Sequence, residues 1–309
     1  AIGWARVNRR PAAVPRGFSC APGGGFLRVC VVSAAALCAG CLSAVGPGGR
    51  APSTEILAFE DQGFERTTRI HRPSPMPGGP RPLVVALHGG VSSGEEMEAV
   101  TGFSRIADRE GFVVAYPDAI GVPLIGVLRA WNDGVCCGQA HTLGISDVDF
   151  VTRLLDVLRT RFPIDGRRIY LVGYSNGGAL AYRLADEAWR TIAAVGIYAS
   201  APEATGTLQS TVFSLRRVQH ASLMAIHSID DPRIAYAGTE RWGVVNPPFL
   251  ATGRFWADAL GCRRPVPRQD RGGYLRDGDE ECDAGTAVEL LSLKGWTHEW
   301  AGPANLSAP

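Results

Sequence analysis

Lysine is almost absent from this 309-residue chain: of its 31 basic residues only Lys294 is a lysine. With alanine and glycine abundant, that skew reads as coding bias rather than as an arginine surface built for a ligand. Neither sign of charge is in surplus. The 31 basic residues face 30 acidic ones and leave a formal net charge of +1, too little field to gather nucleic acid or an anionic membrane. A membrane-spanning helix needs about 20 apolar residues, and the run from Val29 to Leu42 falls short of that. No Cys/His group has metal-ligand spacing, and the glycine-rich turns match neither phosphate-loop pattern. No metal and no cofactor is therefore expected. What is present is a chain 46% apolar and 20% charged, able to bury one large core. We expect one catalytic domain over residues 51–309, monomeric, behind a targeting segment and spacer over residues 1–50.

That segment has the layout of an export signal. Arg9, Arg10, Arg16 and Arg28 precede the apolar run, whose length suits a signal-peptide core. Cys38-Ala39-Gly40-Cys41 places small residues before a cysteine, as lipoprotein signals do, which would make Cys41 a lipid anchor; Cys38 stands where an aliphatic residue is usual. Cleavage near Ala44 is the competing reading, so the protein is expected to be secreted or lipid-anchored at the cell envelope. Cys136, Cys137, Cys262 and Cys282 fall in the globular part, and an even set in an exported domain suggests disulfides.

Past the Gly/Pro-rich spacer Gly46 to Pro52, short apolar runs alternate with helical periodicity. This is the pattern of an α/β domain with a largely parallel sheet and helices on both faces. Leu83 to Leu87, Phe112 to Tyr116, Ile169 to Val172, Ala194 to Tyr198, Leu223 to Ile226 and Val288 to Leu293 read as buried strands. The clearest helix runs from Asp147 to Arg161, capped by Ser146, with Val148, Val151, Leu155 and Leu158 on one face.

Between the strand ending at Val172 and a helical stretch from Ala179 lies Gly173-Tyr174-Ser175-Asn176-Gly177, a G-x-S-x-G sequence in the strand-turn-helix setting that exposes a serine nucleophile. A serine hydroxyl needs a base, and the base needs an anion to orient it. In this fold class the acid and then the histidine follow the nucleophile. His298 follows the last expected strand and is the candidate base, whereas His227 is read as support for the acid loop, and His71, His141 and His220 as solvated or core residues. The acid is Asp230 or Asp231; Asp231 is favoured because a residue before proline is held extended. Leu87-His88-Gly89-Gly90 after the first expected strand suits an oxyanion loop. Gly90 and Asn176 would then donate the two N–H groups, the second aided by the helix dipole.

Pro82 to Gly89, Asp108 to Asp118 and Arg167 to Gly178 resemble the polyhydroxybutyrate depolymerase and feruloyl/acetylxylan esterase family, and the similarity runs in one order from about Arg66 to Gly302. The resemblance implies an α/β-hydrolase fold and a serine esterase. The family's acid loop, His-Gly-x-x-Asp-Pro, matches His227 to Pro232 with Asp231 at the acid position and Ser228 replacing glycine. Its histidine pattern matches His298-Glu299-Trp300-Ala301-Gly302, with Thr297 and Ala301 as departures. Trp131-Asn132 with Cys136-Cys137-Gly138 also resembles the family, which implies that Trp131 and Trp300 line an acyl or aromatic pocket. Cys262 and Cys282 are expected to pair, whereas Cys136 and Cys137 can join only through a strained ring and their pairing stays open. The chain ends at Pro309, where the family continues into a final helix, so a domain shortened at its C-terminus is expected.

Three functions fit these residues: hydrolysis of a carboxylic ester through an acyl-enzyme on Ser175, a serine peptidase of the same fold, and a catalytically silent binding protein. Ser175, Asp231 and His298 together favour the first. The substrate would be a polyhydroxyalkanoate oligomer or a feruloyl or acetyl ester of a polysaccharide.

Overall fold

The computed structural model describes residues 54–76, 78–122, 128–188, 191–205, 220–241 and 244–301. The targeting segment and spacer, with Cys41 and Ala44, lie outside the described residues, as do residues 302–309. In the described part, β1 (Thr54–Asp61) and β2 (Phe64–His71) form a hairpin. Its link, Gln62-Gly63, has φ of 51° and 82°, the positive pair that a tight two-residue turn requires. Next come β3 (Arg81–Leu87), α1 (Gly94–Thr101), α2 (Phe103–Glu110), β4 (Val113–Pro117), α3 (Gly138–Thr142), α4 (Asp147–Arg161), β5 (Ile164–Tyr174), α5 (Asn176–Glu187) and β6 (Ala194–Tyr198). They are followed by β7 (Ala204–Thr205), β8 (Ser222–Ser228), β9 (Thr239–Arg241), β10 (Val244–Asn246), α6 (Phe249–Ala259), β11 (Arg264–Asp270), β12 (Tyr274–Glu280) and β13 (Val288–Leu293).

Ten of these strands make one sheet in the order β1-β2-β4-β3-β5-β6-β8-β13-β12-β11, and β7-β10-β9 make a small second one. The run from β4 to β13 is parallel throughout, with antiparallel strands added at both edges. The six strands expected from apolar runs form this parallel centre.

Strand alternation sends side chains to two faces. On one, Ala86, Val114 and Tyr116 meet Met97 of α1 and Ala107 of α2. On the other, Leu83, Val85, Leu87, Ile169 and Leu171 meet Val151, Leu154, Leu155 and Leu158 of α4, with α5 and α6 alongside. The Ser146 side chain caps α4 by accepting from the Asp149 N–H at 3.2 Å. Asp147, in the helix's first turn, is wholly buried; it takes Arg66 at 2.7 Å and the Asn132 N–H at 2.7 Å.

The polar stretch between Cys262 and Cys282 is not a loop but the hairpin β11–β12, which extends the sheet past β13. Its two cysteines are joined as a disulfide across a separation of 20 residues, and Cys282 packs into the core. In the chain-entropy account such a closure contributes about 3 kcal/mol. The paired Cys262→Ser and Cys282→Ala substitutions are therefore expected to lower the unfolding free energy by about 3 kcal/mol, read from urea denaturation. Wild type treated with a reductant should move toward the variant.

Candidate active site

Ser175 sits between β5 and α5 with φ 52° and ψ −122°, a backbone conformation costly for a residue with a Cβ. The surroundings hold it there. Its N–H donates to the Tyr198 carbonyl at 3.0 Å, and its own carbonyl accepts from Gly178 and Ala179 at 2.8 and 3.1 Å. The flanking glycines are required by contact. A Cβ on Gly173 would lie 2.3 Å from the Gly177 carbonyl oxygen, and one on Gly177 would lie 2.4 Å from the carbonyl oxygens of both Leu87 and His88.

A continuous hydrogen-bond chain starts at the serine. Ser175 Oγ and His298 Nε2 are 2.8 Å apart, and His298 Nδ1 and Asp231 Oδ2 are 2.7 Å apart. Facing a carboxylate, Nδ1 carries the proton and donates, which leaves Nε2 to accept from the serine hydroxyl. The other oxygen of Asp231 accepts the N–H groups of Arg233 and Ile234 at 2.8 and 3.0 Å. Burial acts to raise the Asp231 pKa, but the hydrogen bonds from His298, Ile234 and Arg233 outweigh it and hold it below the usual aspartate value.

Asp230, the alternative acid, is exposed and accepts the Gly295 N–H at 3.3 Å, so it ties the acid loop to the histidine loop. Ser228 makes a second tie, its hydroxyl donating to the Trp296 carbonyl. Tyr174 donates its hydroxyl to the His298 carbonyl, and Tyr198 accepts the Ala301 N–H at 2.9 Å. His227 donates Nε2–H to the Ile234 carbonyl at 2.8 Å; burial lowers its pKa and keeps it neutral beside Asp231.

The loop after β3 packs against Ser175. A Cβ on Gly89 would come within 3.4 Å of the Ser175 Cβ, and one on Gly90 within 3.8 Å of the Asn176 Cβ. Among the described residues the Gly90 N–H has no backbone acceptor. Asn176, the first residue of α5, has no intrahelical acceptor for its own. His88, whose sequence signal is only its place before two glycines, shapes this loop. Its Nε2 accepts the Ala119 N–H at 3.1 Å and its Nδ1–H donates to the Gly89 carbonyl at 2.7 Å.

Trp131 does not line a pocket. Its indole is fully buried, 6.4 Å from the Phe150 ring in a stacked pair, and donates to the His88 carbonyl at 2.9 Å. Its backbone is clasped by the Asn176 side chain, which accepts the Trp131 N–H at 2.7 Å and donates to the Trp131 carbonyl and to Asp133, each at 3.1 Å. Trp300 is half-buried against Tyr198, Tyr174 and Phe103. The cleft at Ser175, about 380 Å³, is lined by Gly89, Gly90, Tyr174, Pro232, Arg233 and Glu299 as well as Thr297 and the serine and histidine. Neither tryptophan is among its lining residues.

Cys136 and Cys137 are joined to each other. With Asp133 they bring donor atoms within 4.8 Å, yet paired sulfurs are not thiolate ligands, and the Asp133 carboxylate is taken by Val135, Cys136 and Asn176.

The family model described as Esterase PHB depolymerase matches residues 74–239. NocK of Nocardia uniformis subsp. tsuyamanensis, an esterase by name, is 30% identical over 76% of this chain and 71% of its own length. Feruloyl esterase B of Piromyces equi is 25% identical over 70% of this chain. The match covers only 39% of that longer protein. Among solved structures, acetyl xylan esterase from Aspergillus awamori superposes with a TM-score of 0.59 over 80% of this chain and 94% of that one, at 14% identity. The shared architecture is the α/β-hydrolase fold.

Burial lowers the pKa of His88 from 6.5 to about 4. The unfolded chain therefore binds a proton in that window that the folded chain excludes. The stability contributed by the neutral imidazole is fully present above pH 6.5 and lost as pH falls through about 4, a change of about 3 kcal/mol. Urea midpoints between pH 7.5 and 4.5 should fall less steeply in His88→Gln than in wild type; equal slopes would contradict this account.

Proposed function

Because the chain belongs to the esterase family of the polyhydroxybutyrate depolymerases, we propose that it cleaves carboxylic esters through an acyl-enzyme on Ser175. The observation that carries this reading is the unbroken hydrogen-bond chain from Ser175 through His298 to Asp231. As Ser175 Oγ attacks the carbonyl carbon, its proton passes to His298 Nε2, and the imidazolium is stabilised by Asp231 against Nδ1. The carbonyl oxygen, now negative, is received by the N–H groups of Gly90 and Asn176; each such donor is worth about 3 kcal/mol in the transition state. Collapse expels the alcohol with the proton from His298. Water then enters, loses a proton to the same nitrogen, and releases the acid.

The proposal extends to substrate and location. Polyhydroxyalkanoate oligomers and feruloyl or acetyl esters of polysaccharides are the candidate substrates, in keeping with what the relatives are named for. The basic residues and apolar run ahead of the domain support export, with either a free or a Cys41-anchored product. Among the described residues no helix is long and apolar enough to cross a membrane.

Ser175→Ala should retain wild-type stability while losing roughly five to six orders of magnitude in kcat on whichever of these esters the wild type turns over. A fluorophosphonate probe should label the wild type stoichiometrically and the variant not at all. Undiminished turnover in the variant would exclude Ser175 as nucleophile.

A further inference from the structure

Arg233 stands on the rim of the catalytic cleft with its charge unanswered. Its backbone N–H donates to Asp231 at 2.8 Å, which ties its Cα to the acid beside His298. The residue is exposed and lines the same cleft as Ser175. Its positive charge also acts on Tyr174, another wall of that cleft. Most other described arginines are neutralised locally, Arg66, Arg183, Arg254 and Arg276 each holding a carboxylate within 3.2 Å. Arg81, Arg105 and Arg271, which form no ion pair among the described residues, do not line this cleft. Among the described residues the Arg233 side chain has no such partner. Glu299 lines the cleft too, yet it forms no ion pair with Arg233.

We propose that Arg233 is a specificity-determining residue that receives a carboxylate carried by the ester substrate. The proposal rests on the esterase reading above and names a substrate class within it: esters whose acyl or alkyl chain ends in a free acid. A guanidinium presents a planar fork of donors that matches the two oxygens of a carboxylate. A neutral ester of the same length offers it nothing. Glu299 acts in the opposite sense, since a carboxylate entering the cleft meets its like charge. The preference is the balance of the two, and both act in an open, hydrated site where a charge pair changes binding about five-fold.

The test compares two esters differing only in charge: para-nitrophenyl hexanoate and the para-nitrophenyl hemiester of adipic acid, in which a carboxylate replaces the terminal methyl and lies too far along the chain to expel the phenol itself. The readout is the ratio of kcat/KM for the anionic ester to that for the neutral one, measured on the full chain at low salt. Arg233→Gln should lower this ratio about five-fold, Arg233→Lys should retain most of it, and Glu299→Gln should raise it. Added salt should shrink the wild-type ratio through screening. A ratio equal in wild type and Arg233→Gln overturns the proposal, including the case in which both esters lose activity together. If the wild type hydrolyses neither ester in a Ser175-dependent way, the esterase reading itself fails, a result distinct from an unchanged ratio.

Discussion

Where the end of β3 meets the start of α5 there is no room for a methyl group. The carbonyls of Leu87 and His88 occupy the place of a Cβ on Gly177, and Gly173 is pressed against the Gly177 carbonyl in the same way. This backbone approach brings the glycines of the loop after β3 beside Ser175 and Asn176. It also explains why the segment around Trp131 belongs to the same unit. The Trp131 indole holds the His88 carbonyl from one side, and the Asn176 side chain clasps the Trp131 backbone from the other. Three stretches far apart in the chain are thereby locked as one rigid body around the serine, which such a site needs if its donors are to be in place before charge develops.

The histidine and the acid reach that body by a different route. β8 and β13 are parallel neighbours, with Ser228 opposite Leu293, so the loops that follow them leave the sheet side by side. Asp231 lies three residues past Ser228, and His298 five past Leu293. Short side-chain ties then fix one loop on the other: Ser228 to the Trp296 carbonyl, Asp230 to the Gly295 N–H. Tyr174 and Tyr198, next to Ser175 and on the neighbouring strand, anchor the backbone of the histidine loop. Serine in place of the family's glycine at position 228 thus supplies a hydroxyl that bridges the two loops.

Legibility followed burial. The central strands are apolar on both faces and announce themselves, and α4 was readable to its capping serine because its apolar spacing is strict. β1, β2, β11 and β12 were not readable. β11 and β12 are charged and largely exposed or half-exposed and hold their place through ladder pairing and a disulfide. β1 and β2 do bury one face, but with Arg66, Thr68 and His71 among its residues beside Leu57 and Ile70, so no apolar run marks it. Ser175, His298 and Asp231 could be picked out as candidates because a G-x-S-x-G turn has a backbone requirement and the order of its candidate partners is restricted by topology, and the structure brings the three side chains into one hydrogen-bond chain. Trp131 was misplaced for a general reason: an aromatic residue near a site motif looks the same in sequence whether its ring faces a ligand or the core. Only the partners of its indole and backbone distinguish the two.

Three buried histidines cluster near the cleft, and their partners separate their chemistry. His88 and His227 each give their one N–H to a backbone carbonyl, of Gly89 and Ile234 respectively. A carbonyl stabilises the donor without supplying a charge, so desolvation dominates and both pKa values fall. His227 lies 3.7 Å from Asp231 Oδ2, but the rings of Phe249 and Tyr236 surround it and its proton is already directed elsewhere. His298 alone has a carboxylate on one nitrogen and a hydroxyl on the other. An imidazolium there would be flanked by a hydrogen-bonded negative charge, whereas on His88 it would be a buried cation with a neutral partner and on His227 one whose N–H is given to a carbonyl, with the Asp231 carboxylate 3.7 Å away and already bonded to His298. That asymmetry, set by hydrogen bonding rather than by proximity to the serine, makes one of three imidazoles suited to carry a proton back and forth and confines the other two to holding backbone.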